Sequence, residues 1–168
     1  MSKRDKLHQL PLYQKAEHIF KITQGLIEIV PTDNEFLQET TVRFMLENAM
    51  IIPAKIAGAQ AVELYDLRMV NATIIRKAAR ELYVQAGSLR FEEDIIDQDY
   101  ILLLRKEIDE FRLLFIDWVA GFDVWNYIKD DWGLFNPLGV NAYDKNPDED
   151  IPFNPDDFLN FEDDNEDD

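Results

Sequence analysis

Residues 11–30 read PLYQKAEHIFKITQGLIEIV, and the spacing of their apolar side chains decides the fold class. Leu12, Ala16, Ile19, Thr23, Leu26 and Val30 recur at alternating steps of four and three, which puts them on one face of an α-helix. Phe20 and Ile27 widen that face. Pro11 suits a first helical turn, where its missing N–H has no intrahelical partner to lose. Pro31 ends the helix, because proline pushes the residue before it out of the α region.

Three further stretches repeat the pattern. A second helix is predicted from Thr32 or Asp33, with Thr32 and Glu35 at capping-box spacing. Its buried side is traced by Leu37, Thr41, Phe44, Asn48, Ile52, Ile56 and Ala59. Pro53 falls inside that pattern and predicts a kink. Ala54, Ala57, Gly58, Ala59 and Ala61 give this helix small sides that a neighbour can approach closely. The third helix is expected from Tyr65 to Ala86 along Tyr65, Met69, Ala72, Ile75, Ala79, Leu82 and Ala86, with Gly87 as its C-cap. The fourth starts near Asp97 or Asp99 and carries Ile101, Leu104, Ile108, Phe111, Phe115, Trp118, Phe122 and Trp125 in one stripe.

Only six glycines and seven prolines occur in 168 residues, and four of the prolines lie at or beyond Pro137. A chain so poor in breakers favours long helices over the many turns of a β-sandwich. The expected fold is all-α: an antiparallel up-down-up-down four-helix bundle over residues 11–132. An N-terminal arm covers residues 1–10, and an irregular acidic tail covers 133–168, disordered toward its end. No cysteine is present, which excludes a disulfide framework and Cys-ligated zinc. No apolar run reaches the ~18 residues of a membrane span. Residues 1–9 are basic but lack the apolar core of a secretory signal, so the expectation is a cytoplasmic protein without membrane contact.

The net charge of −17 is unevenly placed. Residues 1–120 hold 15 Lys/Arg against 19 Asp/Glu, whereas residues 121–168 hold 2 against 15. Such asymmetry marks an interaction or solubilising tail. Phe135, Tyr143, Phe153, Phe158 and Phe161 stand among its carboxylates. A merely solubilising spacer has no need of them, since burying each is worth about 1.5–3 kcal/mol. The segment DDFLNFEDD, residues 156–164, therefore reads as a docking segment, with Phe158, Leu159 and Phe161 as its anchors and Phe153 before it as a further candidate. Its target is either an unknown protein partner or basic and apolar surface on the chain's own assembly.

Residues 49–58, AMIIPAKIAG, and 65–89, YDLRMVNATIIRKAARELYVQAGSL, resemble the 23S rRNA intervening-sequence-encoded family. That family has an AA-x-SIPSNIAEG-like segment followed by an F-x-x-x-L-x-I-A-x-GS-x-x-EL-like helix. Ala49, Ile52, Pro53, Ile56 and Ala57 match the first element, and Tyr65, Met69, Ala72, Ala79, Glu81 and Leu82 the second. The resemblance spans about residues 10–122. It implies a left-handed four-helix bundle assembling as a ring, commonly a pentamer. A relative with this fold is the accessory protein of diversity-generating retroelements, which binds nucleic acid and a reverse transcriptase. The resemblance brings no catalytic residues. Leu46 and Glu47 stand where the family often has arginines, and Lys55 and Gly58 replace its Asn and Glu. These departures weaken a nucleic-acid surface at that place.

The best phosphate-binding cluster is Arg76, Lys77 and Arg80, with Arg68 on the same predicted helix. The competing reading is a solvated face balanced by Glu63, Asp66 and Glu81, which the acidic balance of the chain favours. The fourth helix is apolar over more than one face from Phe111 to Ile128. Phe111, Leu114, Phe115, Trp118, Phe122 and Trp125 are thus candidates for a homo-oligomer interface, unless the chain after Gly121 folds back over them. His8 and His18 lack the Glu-x-x-His context of di-iron bundles. Glu107 with Glu110, and Asp94 with Asp97, read as solvated faces rather than cation sites. With no Gly-rich phosphate loop and no nucleophile context, neither a cofactor nor catalysis is expected. The sequence points to a non-enzymatic oligomeric adaptor, with nucleic-acid binding through the third helix as the alternative.

Overall fold

The computed structural model describes residues 3–91, 98–146, 150 and 152. Two compact units divide the chain, one ending at Ile128 and the other beginning at Lys129. That division falls a few residues before residue 132. The helices among the described residues lie in the first unit, and no strand occurs among the described residues.

Helix α1 spans Lys3–Gln9 and α2 spans Pro11–Glu28, so the expected N-terminal arm is helical. Leu10 separates them in an extended conformation, φ −70° and ψ 119°, as a residue before proline should be. Leu7 and Leu10 pack on the core. Pro11 sits in the first turn of α2, and the helix closes before Pro31 with tight i→i−3 bonds from Ile29 to Leu26 and Val30 to Ile27, each 3.3 Å.

The second predicted helix is where sequence and structure part. Its N-cap is Asn34, whose Oδ1 accepts the Leu37 N–H at 3.0 Å, and not Thr32. After one α turn, α3 at Glu35–Leu37, the chain makes a π turn over Gln38–Val42, in which the Arg43 N–H reaches back five residues to the Gln38 carbonyl. Helix α4 then runs through Pro53 from Arg43 to Ala61. A π turn inserts one residue into the helical register. The buried stripe accordingly steps from Leu37 to Val42 and Met45, while Thr41 is half-exposed and Phe44 turns outward with 47% of its surface exposed. Asn48, Ala49, Ile52, Ile56 and Ala59 complete the buried side.

Helix α5 spans Tyr65–Ser88 and buries Ala72, Ile75, Ala78, Ala79, Leu82 and Ala86. Gly87 is not its cap. The helix continues past it into a 3₁₀ turn at Leu89–Phe91, and the positive-φ glycines among the described residues are Gly133 and Gly139. A Cβ at Gly87 would overlap the Arg105 guanidinium, which lies over the Tyr83 ring 3.9 Å from its centroid. Glycine serves here as a slot for that arginine. Helix α6 spans Gln98–Ala120, with Asp99 in its first turn. The proposed cap Asp97, with Asp94, lies outside the described residues.

Helix α2 packs on α4 and α6, and α5 packs on α4 and α6, so the four long helices close around one core. Leu12, Ile19, Leu26, Met45, Ile52, Ile75, Leu82, Ile101, Leu104 and Phe111 fill it. Asn48 crosses from α4 to α5 through a 3.2 Å bond from its amide Nδ2 to Gln85 Oε1. Thr23 is buried because its hydroxyl donates to the Ile19 carbonyl one turn back, at 2.8 Å.

The stripe of α6 does not run on to Trp125. The helix stops at Ala120, where the Gly121 and Phe122 N–H groups fold back to the Trp118 and Val119 carbonyls. The chain then returns along the start of α5. Tyr65 N donates to the Asn126 carbonyl at 2.6 Å, Asn126 Nδ2 to the Glu63 carbonyl at 3.2 Å, and Ile128 N to Asp66 Oδ1 at 3.2 Å. These bonds give polar partners to a helix N-terminus that has no side-chain cap.

The second unit holds its described part with turns. The Asp130 carboxylate accepts the Trp132, Leu134 and Phe135 N–H groups at 2.8–3.1 Å. Asn136 exchanges two bonds with the Asp130 backbone, and Lys129 donates to Asp131 and to the Ala142 carbonyl. The bond from Trp132 N chiefly, with those from Leu134 and Phe135, holds the Asp130 carboxyl below its ordinary range. Residues 129–146 are thus irregular but locally tied. Trp132, Leu138 and Tyr143 point almost wholly to solvent.

Candidate functional site

The predicted site residues separate into three environments. Arg68 leaves the cationic cluster altogether. Its guanidinium lies 4.0 Å from the Phe122 ring centroid and 6.0 Å from that of Trp118. Burial there weakens its hold on its proton, with nearby Glu63 acting in the opposite sense. Arg68 therefore packs half-buried between α5 and the chain that follows α6. Lys77 is drawn into a surface pair with Glu81 at 2.9 Å.

Arg76 and Arg80 stay exposed, and neither meets a carboxylate within 4 Å among the described residues. They line a groove of about 260 Å³ between α5 and α6. Arg112 of α6 faces them across it, and Tyr83, Phe111 and Phe115 contribute apolar lining. Positions 76, 80 and 83 repeat at helical spacing, as do 105 and 112, so each helix offers one edge of the groove. Beyond Tyr83 the same face carries Arg90, Arg105 and Lys106 together with Glu110, which lies 3.7 Å from Lys106. Asp109, 4.0 Å from Arg112, is the acidic group in the groove lining. Small-molecule pockets enclose about 300–1,000 Å³, so this groove suits one or two side chains of a docking segment better than an engulfed ligand. Arg112 was not expected from the sequence. The signal for it was its place beside Phe111 and four residues from Ile108 and Ile116, at the edge of the aromatic stripe.

The proposed interface residues mostly belong to the interior. Phe111 and Phe122 are buried, and Leu114, Phe115 and Trp118 are half-buried against the core. An aromatic ladder runs from Phe111 to Phe115, Trp118 and Phe122 at centroid separations of 6.2, 5.9 and 4.7 Å. Of the six, Trp125 alone is largely exposed, at 68%, and it lies beyond the helix. The outward apolar stripe of α6 is instead Leu102, Leu113 and Ile116, each more than half exposed. Leu113 and Ile116 adjoin at helical spacing, while Lys106 and Asp109 lie between them and Leu102 on that face. Phe153, Phe158, Leu159 and Phe161 lie outside the described residues.

Glu107 and Glu110 are neither a cation site nor a solvated pair. Lys15 of α2 reaches both carboxylates at 2.6 Å, and His18 Nε2 lies 3.7 Å from Glu107. Glu107 is buried, so the lysine supplies the countercharge that burial demands. Hydrogen bonds to Glu107 and Glu110 raise the Lys15 pKa above its ordinary 10.5, and the Lys15 bond lowers that of Glu110 below 4.5. Among the described residues no group of three His, Asp or Glu side chains could hold a metal ion, and no helix is long and apolar enough to cross a membrane. No protein-family model matches this chain, and no curated protein matches it.

Proposed function

We propose that this chain is a non-enzymatic interaction module of the cytoplasm, working as a homo-oligomer of antiparallel, up-down-up-down, left-handed four-helix bundles. The observation that carries the reading is the α5–α6 face, where a basic groove with aromatic lining runs beside the exposed apolar stripe of α6. An outer helix of an isolated bundle needs one buried stripe, and α6 adds to it the exposed pair Leu113 and Ile116. The resemblance to the 23S rRNA intervening-sequence-encoded family favours a ring, a pentamer in its common form. The acidic C-terminal region is the contact segment of the module.

Light scattering on the purified full chain tests this. The expected result is a mass that is a multiple of 19.7 kDa and that falls when Leu113→Glu and Ile116→Glu place charge on the exposed stripe. A mass of one chain at every concentration overturns the reading.

Arg76, Arg80 and Arg112 on one face also support a second reading, an RNA- or DNA-binding accessory protein. The net charge of −17 opposes it. Binding of a nucleic acid at physiological salt that Arg76→Glu with Arg80→Glu abolishes would favour it over the adaptor.

A further inference from the structure

We propose that the α5–α6 groove receives the segment Phe153–Asp164 of a second copy of this chain. The inference rests on the oligomeric module proposed above and names what holds its copies together. Charge favours this occupant. The groove presents Arg76, Arg80 and Arg112, and the first two have no carboxylate partner among the described residues. Residues 153–164, FNPDDFLNFEDD, hold five carboxylates and no Lys or Arg. Guanidinium groups bind carboxylates through paired N–H donors, which favours the acidic peptide chemically.

The apolar complement favours it too. Tyr83, Phe111 and Phe115 line the groove between the arginines, and Phe158, Leu159 and Phe161 lie between the carboxylates of the segment. The volume of about 260 Å³ admits one or two such side chains. Acidic residues flank them on both sides, at Asp156 and Asp157 and at Glu162, Asp163 and Asp164. A nucleic acid would supply the charge and stacking bases but no aliphatic side chain such as Leu159.

The exposed residues beside the groove select a second copy as the source. Leu113 and Ile116 stand exposed on α6, the helix that supplies Phe111, Arg112 and Phe115 to the groove. A twelve-residue segment filling the groove leaves that stripe in water, whereas a neighbouring copy delivering the segment can cover both. Such a contact is heterologous, groove on one copy and segment on the next, and closes into a ring when the rotation permits.

Two full-length variants test this. Arg76→Glu with Arg80→Glu spoils the groove, and Phe158→Ala with Leu159→Ala and Phe161→Ala spoils the segment. Unchanged circular dichroism and melting temperature establish that each is folded. Sedimentation at several concentrations should show self-association of each weakened about tenfold or more, the size of effect expected when anchor residues are lost. An equimolar mixture should recover a one-to-one complex, because one variant keeps the segment and the other the groove. Raising salt should weaken the wild-type assembly.

If the wild-type chain assembles and both variants assemble equally well, the groove–segment contact is wrong and the oligomeric module stands. If the wild-type chain is a monomer throughout, both are wrong. Failure of the mixture to associate removes the second copy as the source of the segment. Tight binding of a 20-nucleotide RNA that the groove substitutions abolish and the segment substitutions leave alone assigns the groove to a phosphate backbone and overturns the proposal.

Discussion

The π turn at Gln38–Val42 makes two adjacent residues exchange roles, and single substitutions distinguish the registers. In an uninterrupted helix Phe44 is a core residue and Met45 borders it. In the structure Met45 has no exposed surface and Phe44 is 47% exposed. Met45→Ala removes a fully buried side chain from the middle of the core, for which the cost is about 2–5 kcal/mol, part of it from the cavity left behind. Phe44→Ala removes a side chain that buries about half its surface and leaves a space open to water. Half of the ~1.5–3 kcal/mol for burying a phenylalanine is about 1 kcal/mol, with no cavity to add. The difference of about 1–4 kcal/mol corresponds to about 2–16 °C in melting temperature for a chain of this length. Urea denaturation of both variants, with calorimetric melting, measures it. If Phe44→Ala proves the more damaging, at the 3–5 kcal/mol typical of a buried Phe→Ala, the extra residue in the helix is not there and the register argument fails.

Phe122→Ala should cost about 3–5 kcal/mol in denaturation, whereas Trp125→Ala should change stability by under about 0.5 kcal/mol, because α6 ends at Ala120 and only Phe122 is buried. Lys15→Met leaves Glu107 buried without its countercharge and should cost about 2 kcal/mol, the 3–5 of a fully buried pair being reduced because 21% of the Lys15 side chain is exposed. Glu107→Gln in that background should recover much of the loss, and a double-mutant cycle that shows strict additivity would refute the coupling. The same cluster sets both pH limbs. Glu110 contributes above its unfolded pKa near 4.5, and its contribution is lost as pH falls through the lower folded value. Lys15 contributes below 10.5 and its contribution is lost as pH rises through the higher folded value, so stability against pH in Lys15→Met should flatten at both ends. Gly87→Ala should gain nothing despite the ~1 kcal/mol helix preference for alanine, since its Cβ displaces Arg105 from Tyr83; in an Arg105→Ala background the gain should appear.

Periodicity sufficed to find the four long helices because burial of one face is a local pattern written into the spacing of Leu12, Ala16, Ile19 and their counterparts. Pro11 and Pro31 bounded α2 for an equally local reason, the missing N–H and the restricted residue before proline. The π turn was not legible. The runs Leu37–Thr41–Phe44 and Leu37–Val42–Met45 are both apolar enough, and only the fit of Met45 into the assembled core chooses between them. Gly87 looked like a cap because a glycine near a helix end usually is one; its use as a slot depends on Arg105, which is distant in sequence.

The site followed the same division. Arg76 and Arg80 were visible as a pair four residues apart. That Arg68 would leave them for the Phe122 ring, and that Arg112 would join them across the groove, depended on how α6 lies against α5. The acidic, aromatic C-terminus is a property of composition and needed no structure to be seen. By itself the sequence determined a helical chain with an acidic tail, because helix periodicity and net charge are read along one dimension. Only the tertiary structure decided which arginines face solvent, which aromatics are core, and that Lys15 neutralises Glu107, because those are relations between residues that folding alone brings together.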